Sequence, residues 1–145
     1  MNKITQKLRE IEESLNLIQE ALPADVEEFK ALKLVKDGIY KRLEFCIQNL
    51  IDIFSVVYSQ KKLGVPSTLD DIFEGLEKEK VFPQRIITLV REMKGLRNIL
   101  IHKYGKIDDT LLHELFIERW DDFEEVIKAV EEHLHTQQIP KNIKK

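Results

Sequence analysis

Residues 83–105 read Pro83-Gln84-Arg85-Ile86-Ile87-Thr88-Leu89-Val90-Arg91-Glu92-Met93-Lys94-Gly95-Leu96-Arg97-Asn98-Ile99-Leu100-Ile101-His102-Lys103-Tyr104-Gly105. Proline suits the first turn of a helix, where N–H groups lack an intrahelical acceptor anyway. Pro83 therefore opens a helix predicted to run to Ile101 or His102, and Gly105 closes the turn after it. At about 100° per residue, Met93, Leu96 and Leu100 share a side suited to a core. Gly95, Asn98 and His102 fall along a different line that carries no bulky apolar residue. A mid-helix glycine costs about 1 kcal/mol relative to alanine. Gly95 is worth that cost where a partner helix or a sugar–phosphate backbone comes close.

Working outward, the same periodicity predicts the rest of the fold. A first helix is expected from Asn2 to Leu22, on the stripe Ile4, Leu8, Ile11, Leu15 and Ile18. Pro23 breaks it, and Asp25 is placed to cap the next helix. That helix is predicted from Asp25 to Leu63, with a broad apolar face from Tyr40 onward and either a kink or a change of packing partner expected at Gly38. Thr68-Leu69-Asp70-Asp71 reads as a capping arrangement for a short helix ending near Glu79. A last helix is expected from Asp108 or Asp109 to about Thr136, its apolar face carried by Leu111, Leu115, Phe116, Trp120, Phe123, Ile127, Val130 and Leu134. The expected architecture is an all-α, up-and-down bundle of four main helices plus one short helix. Residues 1–138 form a single domain in this reading, and 139–145 a flexible Lys-rich tail.

Composition agrees: 43% of the 145 residues are hydrophobic and 34% charged, with five Gly and four Pro, a balance that favours helices over sheet. Cys46 is alone, which rules out an intramolecular disulfide, and its apolar surroundings predict a buried thiol. No apolar run approaches a membrane span, and the Met1-Asn2-Lys3-Ile4 start is not a signal peptide. A cytoplasmic protein is expected.

The net charge of −3 hides an asymmetry. From Gln84 to Ile107 six basic residues face Glu92 alone, giving +5; from Asp108 to His135 ten acidic residues face Arg119 and Lys128, giving −8. A basic segment in an acidic chain favours an anionic ligand there. Equally, the two segments could be adjacent helices whose charges pair.

Within the basic segment, Arg97, His102 and Tyr104 form an Arg-x4-His-x-Tyr pattern. Arginine forks onto phosphate, histidine exchanges protons near neutral pH, and a tyrosine hydroxyl can donate, accept or be modified. Those are the parts of a phosphodiester-cleaving site that needs no metal. Arg97 lies about 140° from His102 around the helix, so its long side chain, fraying after Ile101, or a second subunit must bring the groups together. On their own, an Arg and a His near a helix C-terminus are also explained by the helix dipole.

The pattern resembles the signature of HEPN-domain ribonucleases. With Met93-Lys94-Gly95-Leu96-Arg97-Asn98 before it and Gly105-Lys106-Ile107-Asp108 after it, it resembles the HepT branch in particular. That resemblance implies a metal-independent endoribonuclease toxin without cofactor. It implies a homodimer with two motifs facing a shared cleft, and a 2′,3′-cyclic phosphate product. The substrate implied is RNA, with transfer RNA and messenger RNA both compatible. The partner implied is an MntA-type nucleotidyltransferase antitoxin, which transfers AMP onto the motif tyrosine, here Tyr104. In this reading Arg97, His102 and Tyr104 are catalytic, and Asn98, Gly95, Lys94 and Lys103 support the site or bind RNA. The alternative is a non-catalytic nucleotide- or partner-binding subunit of a minimal nucleotidyltransferase; a purely structural helical adaptor is a third.

Other candidates rank lower. His113, His133 and His135 lack metal-ligand spacing and are expected at the surface. Asp121-Asp122 and Glu124-Glu125 read as a solvated helix face. Asp52, inside the apolar run from Leu50 to Val57, is the acidic residue expected to be partly buried and able to reach an arginine across the bundle.

Overall fold

The computed structural model describes residues 2–138, with the backbone but not the side chain at positions 104 and 138. The tail expected at 139–145 lies outside the described residues. The first stripe forms the buried face of α1 (Lys3–Ala21), where Ile4, Leu8, Ile11, Leu15 and Ile18 are all inside and Asn2 accepts the Ile4 N–H at 2.7 Å.

Asp25 caps as expected, accepting the Glu28 N–H at 3.0 Å, but the helix it starts is short: α2 (Val26–Ala31). Six residues do not hold a helix by themselves in water. Phe29 holds it, fully buried and edge-on to Tyr40 (5.9 Å, 76°) and Phe116 (6.2 Å, 72°). Burying such a ring is worth about 1.5–3 kcal/mol. The single long helix expected from Asp25 is therefore two. The break falls at Lys33, with φ 54°, and α3 (Leu34–Gln60) starts immediately after it. The break lets Phe29 and Ile39 both enter the core from separate helices. At Gly38 α3 is continuous, so the interruption is five residues earlier than the glycine suggested.

Thr68 and Asp71 form the reciprocal capping box of α4 (Leu69–Lys78). Pro83 is the N-cap of α5 (Gln84–His102), one position before its first residue. Lys103 leads into a 3-10 turn (Tyr104–Lys106), closed by a Lys106 N–H to Lys103 carbonyl bond of 2.8 Å. Asp108 then caps α6 (Asp109–Glu118) by accepting the Leu111 N–H at 3.1 Å. The last predicted helix is also two: α7 (Trp120–Gln138) follows a break at Arg119, whose φ of −120° and ψ of 20° are not helical. Arg119 reaches Asp122 at 2.8 Å and Glu92 of α5 at 2.9 Å, which ties the corner to the bundle.

Four long helices (α1, α3, α5, α7) and three short ones thus make an all-α bundle, with no strand among the described residues. α3 is the central element and packs against α1, α2, α4 and α5; α7 closes over α5 and α6. Cys46 is buried as expected, and burial pushes its thiol up to about 12. Among the described residues no helix is long and apolar enough to cross a membrane.

Candidate functional site

α5 carries the Arg-x4-His part of the motif at its C-terminal end. Met93 and Leu100 are buried and Leu96 half-buried, which turns that side to the core as the periodicity predicts. The helix stays intact through His102, so fraying does not bring Arg97 and His102 together. Arg97 turns toward α3: its Nη1 donates to Gln48 Oε1 at 2.8 Å and its Nη2 to Asn98 Oδ1 at 2.9 Å. Its Nε–H is buried and has no partner among the described residues. Asn98, expected to support the site or bind RNA, thus holds the guanidinium. His102 is exposed, and no described side chain hydrogen-bonds to it. Of Tyr104 only the backbone is described; it begins the 3-10 turn directly after Lys103.

The charges of α5 sort in an informative way. Arg85 forks onto Glu125 of α7 at 2.6 and 2.9 Å. Arg91 reaches Asp70 at 3.0 Å, and Lys94 reaches the same carboxylate at 3.7 Å. The expectation that neighbouring helices pair their charges therefore holds for the first part of the basic segment. Lys94, read as a site residue, is engaged with α4. Toward the C-terminus the pairing stops: Arg97, Lys103 and Lys106 have no carboxylate partner among the described residues, and Lys103 and Lys106 are exposed. The surplus positive charge gathers at the motif.

Gly95 is exposed, and a Cβ there would meet nothing within 4 Å in this chain. A groove of about 310 Å³ between α3 and α5 is lined by Tyr40, Lys41, Glu44, Leu100 and Ile101, the last being the chain neighbour of His102. On the same two helices Phe45, Ile99 and Ile101 are exposed to 40%, 40% and 44%.

Sequence reasoning missed Gln48, Asn49 and Lys7. Gln48 Nε2 donates to Asp52 Oδ1 at 2.9 Å, and Lys7 Nζ reaches both Asp52 Oδ2 and Asn49 Oδ1 at 3.4 Å. Asp52 was expected to meet an arginine; it meets Gln48 and Lys7, and only through Gln48 does it connect to Arg97. The available signal was that Asn49 and Asp52 interrupt an otherwise apolar face of α3. Two of the three histidines also need correction. His113 is buried, its Nε2 2.8 Å from the Pro23 carbonyl and its ring 5.3 Å from Phe29. His133 is half-buried against Phe82, and burial together with the Lys61 charge lowers its pKa; His135 is exposed as expected. Asp122 and Glu125, read as solvated, pair with Arg119 and Arg85. Among the described residues no three His, Cys, Asp or Glu side chains are grouped to hold a metal ion.

The all-helical bundle, without a strand among the described residues, is HEPN-like in architecture. Residues 11–130 match the family described as Ribonuclease HepT-like. This chain belongs to the HepT-like ribonuclease family. The mRNA nuclease HepT of Shewanella oneidensis is 30% identical over 129 residues, covering 87% of this chain and 96% of that protein. The tri-AMPylated Shewanella oneidensis HEPN toxin, solved in complex with its MNT antitoxin, superposes with a TM-score of 0.79 at 27% identity, covering 90% of this chain and 98% of that one. The cytosolic protein YutE of Bacillus subtilis shares the fold alone, with a TM-score of 0.76 at 20% identity over 95% of this chain and 92% of that one.

Proposed function

We propose that this chain is a metal-independent endoribonuclease toxin that cleaves RNA through Arg97, His102 and Tyr104, and that a nucleotidyltransferase antitoxin of the MntA type silences it by adenylylating Tyr104. One observation carries the reading: Arg97 is held by neutral amides, unlike the carboxylate-paired Arg85 and Arg91 of the same helix, and sits five residues before an exposed His102.

The chemistry follows from those groups. His102 takes the proton of an RNA 2′-hydroxyl, and the 2′-oxygen attacks the adjacent phosphorus in line. The P–O5′ bond breaks, and the departing 5′-oxygen takes a proton from an imidazolium. The products are a 2′,3′-cyclic phosphate and a 5′-hydroxyl. Arg97 offsets the charge that grows on the non-bridging oxygens, and this electrostatic contribution is the largest one. Lys103 and the neighbouring Lys106 hold the flanking phosphates, and Gly95 leaves room for the backbone. The protein acts as a homodimer. Arg97 turns into α3 while His102 faces outward, and the exposed Phe45, Ile99 and Ile101 beside them suit an interface that sets two motifs across one cleft. An AMP on Tyr104, transferred from ATP with release of pyrophosphate, puts bulk and negative charge where RNA phosphate sits. That a relative is named an mRNA nuclease supports messenger RNA as the substrate of this chain. The place of action is the cytoplasm.

The test is cleavage of total cellular RNA in EDTA by wild type and by His102→Ala. Cleavage by wild type alone, leaving cyclic-phosphate ends, is the expected result. His102 is exposed, so the variant keeps its stability to within about 0.5 kcal/mol and relieves growth inhibition on expression. Incubation with the antitoxin and ATP adds AMP to wild type and not to Tyr104→Phe, read by intact mass. No cleavage by folded, AMP-free wild type turns the reading to a non-catalytic binding subunit of the nucleotidyltransferase.

A further inference from the structure

We infer that Gln48 is the positioning residue of Arg97, holding the guanidinium in place while leaving its charge uncompensated for a phosphate, and that Asp52 and Lys7 fix the direction in which the Gln48 amide faces. The assignment rests on the nuclease reading of Arg97 given under Proposed function.

A carboxamide has one end that accepts and one that donates. Gln48 Oε1 accepts from Arg97 at 2.8 Å, and Gln48 Nε2 donates to Asp52 Oδ1 at 2.9 Å. Turned round, the amide would set its NH₂ against the N–H groups of Arg97 and its oxygen against the Asp52 carboxylate, two repulsions in place of two hydrogen bonds. Both neighbours therefore specify the same orientation. Gln48 and Asp52 are one turn apart on α3, which puts the two side chains on one face of the helix. The second oxygen of Asp52 takes Lys7 Nζ from α1 at 3.4 Å, so its negative charge is offset there and not by Arg97. Lys7 is steadied in turn by Asn49 Oδ1 at 3.4 Å, and Asn49 is buried. Cation, anion, neutral amide and cation thus run in sequence across α1, α3 and α5.

The neutral link is the informative one. Arg85 and Arg91 end on carboxylates, and their charge is spent inside the protein. Arg97 ends on two amides, Gln48 and Asn98, which use two of its five N–H donors and none of its charge. A cation held rigidly by dipoles needs little reorganisation when phosphate charge develops beside it. Glutamate has nearly the shape of glutamine and would hold Arg97 but neutralise it; its second oxygen would face the Asp52 carboxylate, so the substitution is combined with Asp52→Asn, which restores a donor there. Gln48→Glu, made throughout in the Asp52→Asn background and compared with Asp52→Asn alone, therefore separates holding from charge.

Full-length wild type, Gln48→Glu, Gln48→Leu and Asp52→Asn are compared on a mixed-sequence, fluorophore- and quencher-labelled single-stranded RNA in EDTA, with kcat and KM resolved and melting followed by circular dichroism. Gln48→Glu in the Asp52→Asn background is expected to melt with Asp52→Asn, to lose on the order of 100-fold in kcat against wild type, and to shift KM by less than about threefold, since the Lys103 region still binds RNA. Gln48→Leu loses a similar factor, and Asp52→Asn, which frees the amide to turn, loses on the order of tenfold. If Gln48→Leu fails to fold, Gln48→Glu decides. A kcat in Gln48→Glu no lower than that of Asp52→Asn alone, or a loss confined to KM, overturns the positioning role and leaves the nuclease reading standing. A wild type that is folded, free of AMP and inactive removes the nuclease reading, and the role of Gln48 with it.

Discussion

Replacing His113 tests how the turn that carries Tyr104 is anchored. α6 starts three residues after the 3-10 turn, and His113 is the side chain through which α6 grips the α1–α2 connection. Its Nε2 lies 2.8 Å from the Pro23 carbonyl, a geometry in which nitrogen donates, and its ring packs 5.3 Å from the buried Phe29. His113→Phe keeps the ring and removes the donor, which leaves the carbonyl short of a partner at a cost of about 1–2 kcal/mol. His113→Leu removes the aromatic contact as well, worth about 0.5–1.5 kcal/mol more. At about 2–4 °C per kcal/mol for a chain of this size, the phenylalanine variant melts about 2–8 °C lower and the leucine variant lower still. The assay is thermal unfolding by circular dichroism, paired with amide hydrogen exchange over residues 103–112, where exchange should quicken in His113→Leu. If both variants melt within 1 °C of wild type, the hydrogen bond to Pro23 contributes nothing, and the anchoring of α6 has to come from elsewhere.

Two other predictions concern local physics. Lys80 follows α4 with φ 55° and completes a C-terminal motif in which Val81 N–H reaches the Leu76 carbonyl at 2.9 Å and Lys80 N–H the Glu77 carbonyl at 3.0 Å. That left-handed position suits glycine, so Lys80→Gly should raise unfolding free energy by about 0.5–1 kcal/mol in urea titration; a decrease would count against the strain. Burial opposes ionisation of Asp109, yet hydrogen bonds from Lys36 and Tyr40 hold its carboxyl below the usual range. A depressed carboxyl adds stability that is full above its unfolded pKa of about 3.9 and is lost as pH falls through its folded value. Urea unfolding between pH 6 and 2.5 should therefore fall less steeply in Asp109→Asn than in wild type.

Most of the secondary structure was legible because its signals are local. The stripe of α1, the capping box at Thr68 and Asp71, the caps at Asp25 and Asp108, and the end of α5 at His102 all depend on residues within one turn of each other. The two breaks were not legible. Lys33 and Arg119 are ordinary helix formers, with neither glycine nor proline at the position. They leave the helix because Phe29 must reach the core on one side and Arg119 its partners Glu92 and Asp122 on the other. The buried His113 belongs to the same class, since its partner lies 90 residues away in the chain.

The sequence by itself determined the bundle and the motif, since periodicity and a run of eight residues are both properties of neighbouring positions. Only the tertiary structure decided where the charge of that motif is available. Arg85, Arg91, Lys94 and Arg97 look alike along the chain, and it is the packing of α4 and α7 that brings carboxylates to the first three and the packing of α3 that brings an amide to the fourth. Electrostatic partners are set by distance in space, and residues 21 to 49 positions apart acquire a distance only when the helices have packed.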